Sequence, residues 1–189
     1  MPTAILFYGA VLMLLVYGVF IYNSLVNIKH TVAKAWSNID VLLKQRHDEL
    51  PKLVEICRQY MQHEQDTLVQ VSAARAAVFG ANQRHDVAAV GAGEGSLRKS
   101  LGQLYAVAES YPELKADKQF KHLRDRISTL ENTIADRREY YNESVTLNNI
   151  RIETFPDVIM ARWFGFRSQA MLEFSAAETA DVNLKALFN

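Results

Sequence analysis

The sequence predicts an all-α protein, an N-terminal transmembrane helix followed by an antiparallel bundle of long helices. Three observations carry that prediction. No Asp, Glu, Lys or Arg precedes Lys29, and the stretch before it is almost wholly apolar. Beyond it, apolar residues return in alternating steps of three and four, the signature of one helix face. Nowhere does apolar and polar alternate for long enough to suggest a strand. Composition agrees: with Gly 8 and Pro 4 in 189 residues, helix formers dominate.

The first element is the span. From Ala4 to Ile21 the chain reads AILFYGAVLMLLVYGVFI, apolar on every side of a helix. About 20 such residues, rising ~1.5 Å each, cross a ~30 Å hydrocarbon layer. Tyr8, Tyr17 and Tyr22 fall near its ends or within it, where aromatic belts form. A cleaved signal peptide would open with Lys or Arg and close on small residues, and YGVFIYNSLV offers no such site. Residues 4–21 are therefore expected to contact membrane lipid. Only the α-amino group precedes the span, whereas Lys29, His30, Lys34, Lys44 and Arg46 follow it. The positive-inside rule then places the N-terminus outside and the following domain in the cytoplasm. The expected division is an anchor with a short flank at 1–28, a helical bundle at 29–175, and a C-terminal tail at 176–189.

The bundle begins with a long stripe. Val32, Trp36, Ile39, Leu43, Arg46, Leu50, Leu53, Cys57, Tyr60, Glu64, Leu68, Val71, Arg75 and Val78 follow heptad-like spacing, with Arg46, Glu64 and Arg75 as polar breaks. Pro51 lies inside it. Proline lacks the N–H that would bond the His47 carbonyl and clashes with that carbonyl. Because the stripe keeps its phase from Leu50 to Leu53, a kinked helix is expected rather than a hairpin. Residues 81–96, ANQRHDVAAVGAGEGS, break the pattern with three glycines, which predicts a flexible loop. Helix resumes at Leu97 and stops before Pro112. Asp117 is the expected N-cap of a long helix with the stripe Phe120, Leu123, Ile127, Leu130, Ile134, Arg137 or Arg138, Tyr141, Val145 and Ile152. Pro156 breaks the chain again, and a short helix interrupted at Gly165 closes the pattern.

Chemistry-bearing stretches are few. RHDELP, residues 46–51, holds a base beside acids, but consecutive helical residues point about 100° apart. A solvated, salt-bridged turn beside the kink is the expectation, against an acid–base site. His63-Glu64 would open a zincin motif only with a second His at position 67, where Thr67 stands. His30, His85 and His122 are scattered, so neither metal nor cofactor is expected. GAGEGS lacks the Lys and preceding strand of a phosphate loop. Cys57 lies on the apolar stripe and cannot form an internal disulfide, since it is the only cysteine. A net charge of +0 supplies no pull toward nucleic acid. Arg162, Trp163, Phe164 and Phe166, in RWFGF, form a candidate interaction surface, with a bundle cap as the alternative.

Several segments together resemble the LemA family: YNSLVNIKHTVAKAWSNIDVLLKQRHDELPKLVE, HEQDTLVQVSAAR, YPELKADKQFKHLRDRISTLENTIADRREYYNESV and FPDVIMARWFGF, in that order. The resemblance runs from the anchor to about Phe174, and the tail beyond departs from it. It implies a bacterial membrane protein with one N-terminal span, a helical-bundle domain and no catalytic residue to carry over. It connects the chain with either membrane-organelle formation or envelope proteostasis. Family-like polar positions on or beside the stripes suggest a buried network of Arg46, Glu64, Arg75, Glu131, Asn132 and Arg137, for example Arg46 or Arg75 with Glu131.

The functional expectation is a non-enzymatic, single-pass scaffold in the bacterial cytoplasmic membrane. It would bind other membrane proteins or its own copies. Two other classes compete. One is an accessory subunit of a membrane protease or envelope-proteostasis system. The other is an enzyme or metal protein whose site is assembled between helices from His47, His63 and Glu64.

Overall fold

The computed structural model describes residues 2–174, so the tail at 176–189 lies outside the described residues. The described residues form α1 (Pro2–Tyr60), α2 (Gln65–Gln83), α3 (Val87–Ala108), α4 (Pro112–Ala116), α5 (Lys118–Glu153) and α6 (Asp157–Trp163), with no strand among them. The all-α class is as the sequence predicts. The described chain divides into two compact units, one from residues 2–38 and 137–171, the other from 39–136 and 172–174. Helices α1 and α5 contribute a segment to each.

The bundle unit contains α1 from Ile39, α2, α3, α4 and the first half of α5. Asp40 meets Asn82 and His47 meets Arg75, so α1 and α2 run antiparallel. Glu49 meets Arg126 and Tyr60 meets Asp117, which makes α1 and α5 antiparallel as well. The core lies along the predicted stripes: Ile39, Leu43, Leu50, Leu53 and Cys57 from α1, Leu68, Val71 and Val78 from α2, Leu97, Leu101 and Leu104 from α3, Phe120, Ile127 and Ile134 from α5. Each large side chain so buried contributes roughly 1.5–3 kcal/mol.

Caps set the helix ends. The Asp117 carboxylate accepts from the N–H groups of Gln119 (2.7 Å) and Phe120 (2.9 Å), the predicted N-cap of α5. Pro112 takes the first position of α4, where its missing N–H costs nothing. Pro51 sits within α1, which continues to Tyr60, so the hairpin alternative is excluded.

Two expectations are corrected. The stripe from Val32 to Val78 does not belong to one helix. Residues 61–64 form a short break between α1 and α2. Tyr60 and Glu64 stand four apart, so the period carries across the turn and conceals it. The second correction concerns the loop expected at 81–96. Helix α2 runs to Gln83, and α3 begins at Val87. Between them His85 adopts φ 54, with its N–H bonded to Asn82 O and that of Asp86 to Ala81 O, a Schellman stop. Asp86 then caps α3 by accepting from the Ala89 N–H at 3.0 Å.

Close packing explains why Gly91 and Gly93 stand inside α3. A Cβ on Gly93 would lie 3.0 Å from Val78 Cγ2 and 3.3 Å from Val78 N, across the α2–α3 contact. A Cβ on Gly91 would lie 2.0 Å from the Glu173 carbonyl oxygen. That oxygen belongs to the segment carrying buried Leu172 and Phe174 over the bundle. Backbone cannot swing aside as a flexible side chain can. Gly91→Ala should therefore lose about 1–3 kcal/mol through overpacking. Gly102→Ala, whose Cβ meets nothing within 4 Å, should gain up to ~1 kcal/mol from helix propensity. Urea denaturation of the two variants in mild detergent checks the contrast.

The other unit contains α1 up to Asn38, α5 from Arg137, α6 and the segment that follows it. Trp36 packs on Tyr141 with ring centroids 5.3 Å apart, and Arg151 Nη2 donates to Ser24 Oγ at 3.2 Å. These two contacts make the helices antiparallel here too. Polar side chains of α5 hold the strap after α6. Tyr141 OH donates to Ala170 O at 2.9 Å, and Asn148 Nδ2 to Arg167 O at 3.2 Å. Asn149 accepts from the Gln169 N–H and donates to Gln169 O. A cis Phe155–Pro156 bond leads into α6, and Gly165, at φ 70, follows its end.

Candidate functional site: a buried polar layer and an aromatic tip

The bundle interior contains charge. Arg46, on the α1 stripe, is 3 % exposed and pairs with Glu94 of α3, which is 4 % exposed. Glu131 of α5 stands within electrostatic reach of Arg46, Arg98 and Glu94. Burial pushes its carboxyl above the ordinary value of 4.5, against the pull of the two arginines. Its Oε1 and the Tyr105 hydroxyl are buried without hydrogen-bond partners. Burial also raises the Tyr105 phenol, with Glu131 adding to it, and pushes the Cys57 thiol up to about 12. A thiol so placed stays protonated, as a core residue and not a nucleophile.

A second arrangement adjoins it. Pro51 has no N–H to offer the His47 carbonyl, and Arg75 of α2 supplies the missing donor, its Nε 2.9 Å from His47 O. Arg75 Nη2 also lies 2.8 Å from His47 Nε2. Arginine only donates, so Nε2 accepts and the ring is neutral with its proton on Nδ1. The ring stacks on Phe79, centroids 4.1 Å apart. Burial, then Arg75, lower the His47 pKa from 6.5, with Asp48 opposing. A cavity of about 10 Å3 lies between His47, Arg75, Phe79 and Leu43. That is the scale of a single water, too small for an organic ligand.

The direction of the His47 shift gives a pH expectation. A histidine whose folded pKa is depressed is most favourable above its unfolded value. Stability should fall as pH drops below 6.5 and level off once the folded-state pKa is passed. His47→Gln should flatten that part of the profile. Denaturation midpoints measured between neutral and mildly acidic pH check it.

The expected network is thus partly rearranged. Arg46 sits in a buried contact and Arg75 in a half-buried one, but the partner of Arg46 is Glu94, and that of Arg75 is His47. Glu131 lies near the first pair. Glu64 accepts from the His63 N–H and engages the Tyr111 hydroxyl at the α1–α2 turn. Asn132 is exposed on α5, outside the apolar stripe, and of the two arginines offered for the step between Ile134 and Tyr141, Arg137 is exposed while Arg138 is half-buried. RHDELP is less solvated than expected: Arg46 is buried and His47 half-buried, with only Asp48 facing fully outward among 46–49.

Glu94 was legible but hidden. Val90, Glu94, Leu97, Leu101, Leu104 and Ala108 keep the three-and-four spacing straight through the glycines. No group of three or more His, Cys, Asp or Glu among the described residues could hold a metal ion. His63 is exposed in the turn.

The aromatic tip belongs to the other unit. Trp163 is 82 % exposed and Phe164 56 %, and Arg162 is also exposed. Phe166, the fourth residue of the candidate surface, is half-buried. It packs against Ile21, Leu25 and Ala161, 6.1 Å from the Tyr22 ring. Helix α1 is the one described helix long and apolar enough to cross a membrane, and only 6 % of its most apolar stretch is buried.

The LemA family model matches residues 35–185, so the likeness continues past Phe174 into the tail, where a departure was expected. Magnetosome proteins MamQ 2 and MamQ 1 of Paramagnetospirillum magneticum (strain ATCC 700264 / AMB-1) are each 34 % identical over 87 residues, 46 % of this chain and 32 % of their own. Magnetosome protein MamQ of Magnetospirillum gryphiswaldense (strain DSM 6361 / JCM 21280 / NBRC 15271 / MSR-1) is 31 % identical over 74 residues, 39 % of this chain and 27 % of its own. The matched region spans about a third or less of those relatives' lengths.

Proposed function

The chain belongs to the LemA family, and on that premise we propose that it is a membrane-anchored helical-bundle scaffold that works by binding, not catalysis. The carrying observation is the build of α1. One helix contains an apolar stretch left uncovered by protein and the residues Ile39 to Cys57 of a packed core. Residues 4–21 contact lipid as a single span. Lys29 and Lys34 after it hold the bundle on the cytoplasmic side of the bacterial inner membrane, with the N-terminus outside. Confinement to two dimensions raises the effective concentration of the bundle toward other membrane proteins, its partners in this reading. The magnetosome relatives support a role in organising membrane complexes or forming membrane organelles.

A small cavity and internally engaged charges favour binding over catalysis, and the bundle surface offers places for it. A groove of about 670 Å3 beside Arg58, Met61 and Gln62 carries Val69, which is 63 % exposed. In-cell photocrosslinking from a probe at Val69, with Val41 as a second site, tests the reading. Adducts with other membrane proteins are expected. No adduct from either position would oppose it.

A further inference from the structure

Helix α6 packs against the far end of the apolar stretch itself. A Cβ on Gly18 would lie 3.8 Å from Met160 Cε, ordinary contact distance. Ala161, 2 % exposed, clusters with Ile21 and Leu25, and the Phe164 ring sits 4.8 Å from that of Tyr22. These contacts fix the depth of α6. If residues 4–21 occupy hydrocarbon, α6 lies level with the last turn of the span, at the headgroup boundary.

The outward face at that depth is apolar and aromatic. Ile159 and Trp163 stand four apart and share one helix face, and both are exposed, as is Phe155 in the preceding turn at 77 %. Tryptophan and phenylalanine beside basic residues are the composition of interfacial segments. The charges agree. Between Phe155 and Arg167 the one acid, Asp157, is buried and paired with Arg151, which leaves Arg162 and Arg167 as the exposed charges. An anionic lipid surface would therefore meet no exposed carboxylate on this segment.

We propose that α6 and its preceding turn form an interfacial foot, a second lipid-contacting element seated among the headgroups around the end of the span. The foot rests on the anchor reading above, because the span sets its depth. Its exposed rings are covered by lipid rather than by a protein partner. The foot would fix the tilt and rotation of the segment of α1 on which it packs, since interfacial anchors at one depth oppose both.

The test uses the full chain. There are two tryptophans, Trp36 and Trp163, so Trp36→Phe, with Trp36→Tyr as a second background, leaves Trp163 as the sole reporter. The protein is reconstituted into vesicles of phosphatidylcholine and phosphatidylglycerol, with or without bromine on the acyl chains about 5–10 Å below the headgroups. Flotation establishes incorporation independently. The expected result is loss of Trp163 emission in brominated vesicles, together with protection from aqueous acrylamide. Floating protein whose Trp163 is untouched by bromine and open to acrylamide would overturn the foot and leave the anchor standing. Shielding from both quenchers would mean a protein cover, and would also overturn it. A chain that does not float would sink foot and anchor together.

Discussion

Arg46→Met should cost the bundle about 3–5 kcal/mol, the scale of breaking a buried ion pair by removing one partner. The expense comes from what remains. Glu94, 4 % exposed, loses its cation while Glu131 repels it from α5. Glu94→Gln should cost less, because Arg46 keeps Glu131 within reach. The double variant Arg46→Met with Glu94→Leu should recover most of the loss, since apolar replacement of an entire buried pair is often neutral or better. The single variant carries a pH signature of its own. Arg46 is one of the cations that oppose the rise of the Glu131 carboxyl, so without it that carboxyl should rise further, and the variant should regain stability as pH falls and protonates it. Urea midpoints of the three variants at two pH values give the full set of comparisons.

Arg75→Ala is the second large effect, at roughly 1.5–3 kcal/mol for a charged donor lost from a partly buried acceptor. Its special feature is dependence on Pro51. Arg75 Nε bonds the His47 carbonyl, which lacks its helical donor only because residue 51 is proline. Pro51→Ala restores an N–H four residues on. In that background, Arg75→Ala should cost distinctly less, and the difference measures the coupling between the two positions. Equal costs in both backgrounds would mean that Arg75 does something other than complete the helix at His47.

Much of this fold was legible in the sequence. The stripes named the core residues of α1, α2 and α5, Asp117 and Pro156 marked the two ends of α5, and Pro112 marked the break after α3, because periodicity and capping are local physics. What escaped was nonlocal. Three glycines between 91 and 95 read as a flexible loop, since local chemistry weighs conformational freedom and cannot see Glu173 pressed against Gly91 or Val78 against Gly93. That reading also hid Glu94, and with it the partner of Arg46. The proline at 51 announced an orphaned carbonyl at His47, but not that Arg75 would answer it. The break at 61–64 stayed hidden for the opposite reason: the period survived it. At the aromatic tip, sequence singled out Arg162, Trp163, Phe164 and Phe166 together, and the packing of Phe166 depended on Ile21, Leu25 and Ala161 meeting across a long chain separation.

Membrane anchoring is the claim on which the function rests, and alkaline carbonate extraction tests it most directly. Membranes from cells producing the full chain are washed at high pH, and pellet and supernatant are probed with N-terminal sequencing of the recovered protein. Residues 4–21 should keep the intact chain in the pellet, and a variant with Leu12 and Leu15 replaced by Asp should move to the supernatant. Recovery of the unaltered chain in the supernatant, with its first segment still attached, would contradict a span through the bilayer.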